Sequence, residues 1–234
     1  MSTDHSISRR SGSTKAAKDS ASVRVQAAAA AMGLDLSPEQ CACLCDFLAQ
    51  MQRWNKTYNL TALRDPEQML IQHVFDSLSV VAPLAAALAD RSEPSILDVG
   101  SGGGLPGVVL AIVRPDWKVC CVDAVEKKTA FIRQMAAVLR LPNLSARHAR
   151  IESLEPLECD LVISRAFASL LDFATLSGRH VAVNGQLVGM KGRDPQDEIQ
   201  ALHEAGQWQV KTVQPLQVPD LDAQRCLVWM NRAT

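Results

Sequence analysis

The run Ser95-Ile96-Leu97-Asp98-Val99-Gly100-Ser101-Gly102-Gly103-Gly104-Leu105-Pro106-Gly107 decides how the rest of the chain is read. Ile96 to Val99 is a short apolar stretch with one acid inside it, and it ends directly in glycines. An apolar run of this length against a turn signal reads as a buried strand, and Val108 to Val113 beyond it reads as a helix. Without a β-carbon, glycine lets the backbone turn sharply and lets a ligand approach its amides, while the helix that follows offers free N–H groups.

Downstream, strand-like runs at Val119–Val122, Leu144–His148, Leu161–Ser164, Gln186–Met190, Trp208–Val213 and Arg225–Met230 alternate with helical ones. The helices are expected at Lys127–Leu139, near Leu170–His180 and near Asp194–Ala205. Short apolar strands alternating with helices predict an α/β fold, a mostly parallel sheet covered on both faces. Ligands in such sheets bind outside the carboxyl ends of the strands at the switch point, which is where the glycines fall.

Upstream, the texture is helical. Ser37-Pro38-Glu39-Gln40 combines a Ser cap, Pro at the first helical position and Gln three residues after the cap, and Cys41, Leu44, Cys45, Leu48 and Met51 follow as one apolar stripe. Asp65-Pro66-Glu67-Gln68 repeats the signal for a second helix. The polar and aromatic stretch Trp54 to Thr61 between them reads as a loop. Residues 1–24 carry seven Ser, five Lys or Arg and two acids with few large aliphatics, so a flexible tail is expected there. The organisation predicted is tail 1–24, helical appendage 25–90 and sheet domain 91–234.

Composition bounds the function. With 234 residues, 47% hydrophobic, and 24 Lys plus Arg against 25 Asp plus Glu, this is an ordinary globular chain, not a broadly basic nucleic-acid binder. No apolar run is expected to approach the roughly 20 residues of a bilayer span, and no secretory signal follows Arg9 and Arg10, so a cytoplasmic protein with no membrane partner is predicted. The seven cysteines form no Cys-x-x-Cys pair; they read as small buried apolar residues, and no metal site is expected.

Two carboxylates give the glycine turn its chemistry. Asp98 lies inside the first strand, where a buried charge needs a hydrogen-bonding partner or a cation. Asp123 ends the second strand, where a carboxylate can accept from both hydroxyls of a ribose. Gly102, Gly104 and Gly107 also satisfy a dinucleotide spacing, so an NAD-dependent oxidoreductase stays open, as does a glycine turn with no ligand.

The segment Leu97-Asp98-Val99-Gly100-Ser101-Gly102-Gly103-Gly104 resembles the first motif of class I S-adenosylmethionine-dependent methyltransferases. That resemblance implies a Rossmann-like, doubly wound, mostly parallel seven-stranded sheet. Together with Trp54 to Thr61, Arg64-Asp65-Pro66, His73-Val74-Phe75-Asp76-Ser77-Leu78, Lys127-Lys128, Ser164 to Leu170 and Met190-Lys191-Gly192, the chain over about residues 35 to 230 resembles the bacterial RsmG (GidB) family. These are 16S rRNA guanine-N7 methyltransferases.

The resemblance implies S-adenosylmethionine as cofactor and methyl transfer to N7 of one guanine, guanine 527, of 16S rRNA, free or within a small-subunit particle, by a monomer. It also implies that Gly100 and Leu105 contact the cofactor with Gly102 and Gly104 shaping the turn, Ile151 and Glu152 beside the adenine, and Arg165 at both cofactor and acceptor. The residues agree with such an acceptor. Guanine N7 offers an in-plane lone pair and no proton to lose, so no general base is required, and alignment and exclusion of water remain. Arg165 can hold a carboxylate or phosphate by two parallel bonds, or stand as a solvated loop residue. A non-catalytic RNA-binding module is the alternative outside the enzymes.

For RNA, Trp54, Asn55, Lys56 and Tyr58 can stack on and bond an unpaired base, or instead pin the helices to the sheet. Between Arg114 and Arg150 there are eight Lys or Arg against three acids, so Lys127 and Lys128 are candidates for phosphate contacts. His73 and Asp76, three apart on a helix, are expected to form a buried structural pair.

Overall fold

The computed structural model describes residues 20–165, 167–193 and 195–233. Ala166 and Asp194, the latter the expected start of a helix, lie outside it, as do residues 1–19 of the expected tail. Residues 20–31 form a helix, α1, so the boundary expected at residue 24 falls inside an ordered element. Val25, Ala28 and Ala29 recur at helical spacing and are buried, which anchors α1 on the body.

Helix α2, Pro38–Tyr58, begins at the expected cap. The Ser37 hydroxyl accepts from the Gln40 amide at 3.2 Å and the Gln40 side chain accepts from the Ser37 amide at 3.0 Å. Gln40 Nε2 also donates to the carbonyls of Ile112 and Val113, tying the start of α2 to the end of a later helix. Such a cap contributes about 1 kcal/mol. The loop expected from Trp54 is a correction: the helix runs to Tyr58 and stops at Asn59, which takes φ +50°. Met51, Trp54, Asn55 and Tyr58 continue the apolar spacing of the stripe, and a left-handed Asn is a helix stop.

Asp65 caps the next helical run: α3 (Pro66–Met69), a π-turn (Leu70–Phe75), α4 (Asp76–Leu78) and α5 (Val81–Ala87). By length and composition Pro66–Ala87 would qualify as a span, contrary to expectation, with 72% of its most apolar window buried inside the protein. It is a core helix.

The sheet comprises β1 (Ser95–Val99), β2 (Lys118–Asp123), β3 (Leu144–His148), β4 (Cys159–Ser164), β5 (Val181–Lys191), β6 (Trp208–Leu216) and β7 (Arg225–Arg232). The order is β3-β2-β1-β4-β5-β7-β6, with β7 antiparallel to both neighbours and the rest parallel. Connecting helices are α6 (Gly107–Val113), α7 (Glu126–Val138), α8 (Leu170–Ser177) and α9 (Gln196–Glu204). Strand side chains alternate between two cores. Ile96, Leu161, Ile163 and Val188 join α1 to α7 in one core, while Leu97, Val162, Leu187 and Val228 join α8 and α9 in the other. The N-terminal helices therefore share a continuous core with one face of the sheet. The seven cysteines are buried or half-buried, as expected of small apolar residues, and no metal-binding cluster occurs among the described residues.

Candidate functional site

Chain order reverses between β1 and β4, so the loops after these neighbouring strands open on the same crevice. The loop after β1 turns back at once: the amides of Gly100 and Ser101 both donate to the Val122 carbonyl. Gly100, Gly102 and Gly104 have φ of +68°, +58° and +85°. At Gly104 a β-carbon would stand 2.3 Å from Val108 Cγ2, whereas at Gly102 nothing lies within 4 Å. Gly104 is thus a packing requirement, and Gly102 leaves open space above the loop.

Both predicted carboxylates brace this loop. Asp98 is fully buried; one oxygen accepts from the Gly107 amide at 2.8 Å and the other has no partner among the described residues. Burial, foremost, pushes its carboxyl up to about 7, against the Gly107 amide and the Arg165 charge, which act to lower it. Asp123 accepts from the Gly102 amide at 2.8 Å and from the Val125 amide at 2.9 Å, with Lys128 Nζ at 3.8 Å. Its oxygens keep further lone pairs for a ligand hydroxyl.

A cavity of about 270 Å3 lies above the loop, lined by Gly100, Gly102, Leu105, His73, Lys128 and Arg165 among others. Ile151 and Glu152 sit in a 3₁₀ turn beyond β3 and do not line this cavity; the chain just before them is tied to β2 by the Ala149 amide, which donates to the Asp123 carbonyl, and Ile151 is buried and Glu152 exposed. The two lysines expected to act alike separate: Lys127 is exposed, whereas Lys128 turns toward Asp123 and the loop. A helix sends neighbouring residues in directions about 100° apart, and here that step takes one lysine out to solvent and the other toward the loop.

A second cavity, about 370 Å3, adjoins the first, and His73 and Arg165 line both. Arg165 donates from one nitrogen to the Gln72 carbonyl (3.0 Å) and to Asp76 (3.2 Å), so it is not a solvated loop residue. Asp76 also accepts from Arg225 Nε at 2.8 Å. The expected His73–Asp76 pair gives way to this arginine pair. His73 Nδ1 lies 3.1 Å from the Gln72 carbonyl, which can only accept, so Nδ1 carries the proton and Nε2 accepts from Thr61 Oγ1 at 3.0 Å. Burial, then the Arg165 charge, lowers its pKa to about 4, and the ring is neutral at pH 7. Arg225 was not singled out from sequence; the one signal is an Arg opening an apolar strand.

Of the residues considered for RNA, Asn55 is buried and fully engaged, donating to the Leu63 carbonyl and accepting from the Thr61 amide. Trp54 packs on Phe131 of α7 at 5.4 Å and on Tyr58 at 4.9 Å, which is the pinning alternative. Lys56 and Tyr58 remain exposed.

A glycine loop at the β1/β4 switch point, braced by a carboxylate inside β1 and another at the end of β2, in a seven-stranded sheet with an antiparallel β7 defines a class I methyltransferase fold. Solved structures agree on the fold. A SAM-dependent methyltransferase from Aquifex aeolicus superposes with a TM-score of 0.51 at 18% identity, covering 74% of this chain and 96% of its own. A ribosomal protein L11 methylase from Lactobacillus delbrueckii gives 0.51 at 16%, covering 66% and 77%.

Residues 40–228 match the GidB family, described as rRNA small subunit methyltransferase G, and the chain belongs to that family. Proteins named ribosomal RNA small subunit methyltransferase G from Bordetella petrii and Bordetella pertussis are 63% and 66% identical. They cover 90% and 80% of this chain, and the matches span 82% and 83% of theirs. Family membership overturns the oxidoreductase alternative.

Proposed function

We propose that this protein transfers the methyl group of S-adenosylmethionine to N7 of a single guanine, guanine 527, in 16S rRNA of the bacterial cytoplasm. The observation that carries the reading is the pair of adjoining cavities, one over the glycine loop and one basic, with Arg165 and His73 forming their shared wall. The loop fits the cofactor: Gly102 leaves open the space a side chain would fill, and Asp123 retains acceptor capacity at its rim. When bound, the cofactor supplies a methyl carbon activated by its sulfonium. Gly100, Gly102, Gly104 and Leu105 shape and line that site, Asp123 takes the ribose hydroxyls, and Ile151 and Glu152 border the base.

The remaining work is alignment and exclusion of water, and the residues suit an acceptor with no proton to lose. His73, the ring nearest to a general base, has both nitrogens engaged and is neutral. Methylation at N7 places positive charge on the base, so a guanidinium stacked on the ring would oppose it. Arg165, held through one terminal nitrogen by Asp76 and the Gln72 carbonyl, instead steers a carboxylate or phosphate. Exposed Lys127, with Lys56 and Tyr58, supplies outer contacts to RNA.

The decisive experiment is a mass-spectrometric map of 7-methylguanosine in 16S rRNA from cells with and without this protein. One guanine should lose its methyl group when the protein is absent and regain it with purified enzyme and cofactor. Unchanged 16S rRNA alongside tight RNA binding would favour the non-catalytic module.

A further inference from the structure

The basic cavity contains a charge arrangement that the transfer of a methyl group does not itself require. The guanidiniums of Arg165, after β4, and Arg225, on β7, converge on the one carboxylate of Asp76, whose side chain is only 3% exposed. Arg225 gives Nε to Asp76 and one terminal nitrogen to the Gln224 carbonyl; Arg165 gives one terminal nitrogen to Asp76 and Gln72. Among the described residues the other terminal nitrogen of each arginine has no hydrogen-bond partner, and both residues line the cavity.

The neighbours do not offset the second cation. Lys191, also in the wall, is matched by Glu198 at 2.7 Å, and His73 is neutral. Two guanidiniums on one buried carboxylate leave a single positive charge in excess, with unused N–H groups, in a space that adjoins the glycine loop. Such a site is complementary to a phosphate, whose oxygens accept from paired guanidinium edges.

We infer that Asp76 is a positioning residue that sets Arg165 and Arg225 as a two-armed clamp for a phosphate of the acceptor RNA. This rests on the proposed RNA acceptor. It adds the carboxylate that orients the clamp and its second arm.

The test uses the full chain, unmodified 16S rRNA transcript and a salt series, with binding to S-adenosylhomocysteine as the control for an intact glycine loop. Arg225→Gln should lower the slope of log affinity against log salt by about 0.7–0.9, one phosphate contact, while S-adenosylhomocysteine binds as in the parent. Asp76→Asn adds a net positive charge, so bulk attraction alone would tighten RNA binding. A positioning role instead weakens it, about tenfold or more. Combined, the two changes should lose less than the product of their separate losses, because both act through one guanidinium pair.

Asp76→Asn binding as tightly as the parent, or an Arg225→Gln slope equal to the parent's, overturns the inference. If Asp76→Asn does not fold, the Arg225→Gln slope alone decides. Parent enzyme that methylates the transcript while the variants match it across the salt series sinks the clamp but keeps the substrate assignment. Parent enzyme that neither methylates nor binds the transcript sinks both.

Discussion

Replacing Asp98 by Asn should remove a pH-dependent loss of stability. In the fully buried site the carboxyl is raised from its ordinary 3.8 to about 7, chiefly by burial. The folded chain therefore keeps this proton over a range in which the unfolded chain has released it. The associated stability is complete below pH 3.8 and is lost as pH rises through about 7. The gap between the two values corresponds to about 4 kcal/mol, of which about 3 kcal/mol falls between pH 4.5 and 8.

Asn has the same shape and no proton to lose. Its oxygen can accept from the Gly107 amide as Asp98 does at 2.8 Å, while its NH2 takes the position of the oxygen that has no partner. That unsatisfied donor costs about 1–3 kcal/mol at every pH. Urea unfolding of parent and variant at pH 4.5, 6 and 8 isolates the group, because other titrations cancel in the difference. The variant should gain about 3 kcal/mol relative to the parent across that range. Parallel curves, with a constant difference, would refute the buried-proton argument.

Gly104→Ala, with φ +85° and a 2.3 Å approach to Val108, should destabilise by about 3 kcal/mol or more. Gly102→Ala should cost only about 1–2 kcal/mol but impair S-adenosylhomocysteine binding. Melting curves and titration separate the two, and equal destabilisation would contradict the geometry. Asp123→Ala should weaken cofactor binding by about 1.5–3 kcal/mol, and calorimetry showing unchanged affinity rejects the ribose assignment. Lys127→Glu should reduce rRNA affinity and its salt dependence with cofactor binding intact, whereas Lys128→Glu should weaken the cofactor first; indistinguishable variants in paired titrations would show the lysines to be equivalent. Trp54→Ala should lose about 2–3 kcal/mol in denaturant unfolding with rRNA affinity nearly unchanged, and the opposite pattern would restore the base-stacking alternative.

What could be read in advance was local. The strand-to-glycine turn after Val99, the caps at Ser37 and Asp65 and the seven strand-like runs each occupy a few adjacent residues, and each forms where its chemistry predicts. The end of α2 was obscured because Asn55, Lys56 and Asn59 are polar; burial of Asn55 depends on a loop that folds back over it. The π-turn at Leu70–Phe75 has no periodic signature and is fixed by packing. Asp76, a lone charge among Val74, Phe75 and Leu78, does announce a buried ion in need of partners. Nothing in its neighbourhood names them, because Arg165 and Arg225 lie 89 and 149 positions away.

That separation gives the arginine pair a place in the folding sequence. Joining residues so distant closes very long loops, and such contacts form late. Until β7 has docked between β5 and β6, Asp76 must stay hydrated or remain half-paired, and the helical run that carries it cannot settle fully onto the sheet. Completion of the last strand and assembly of the basic cavity are thus one event. A chain halted before β7 would hold its glycine loop over an unfinished wall, and the clamp we propose would have only one of its two arms.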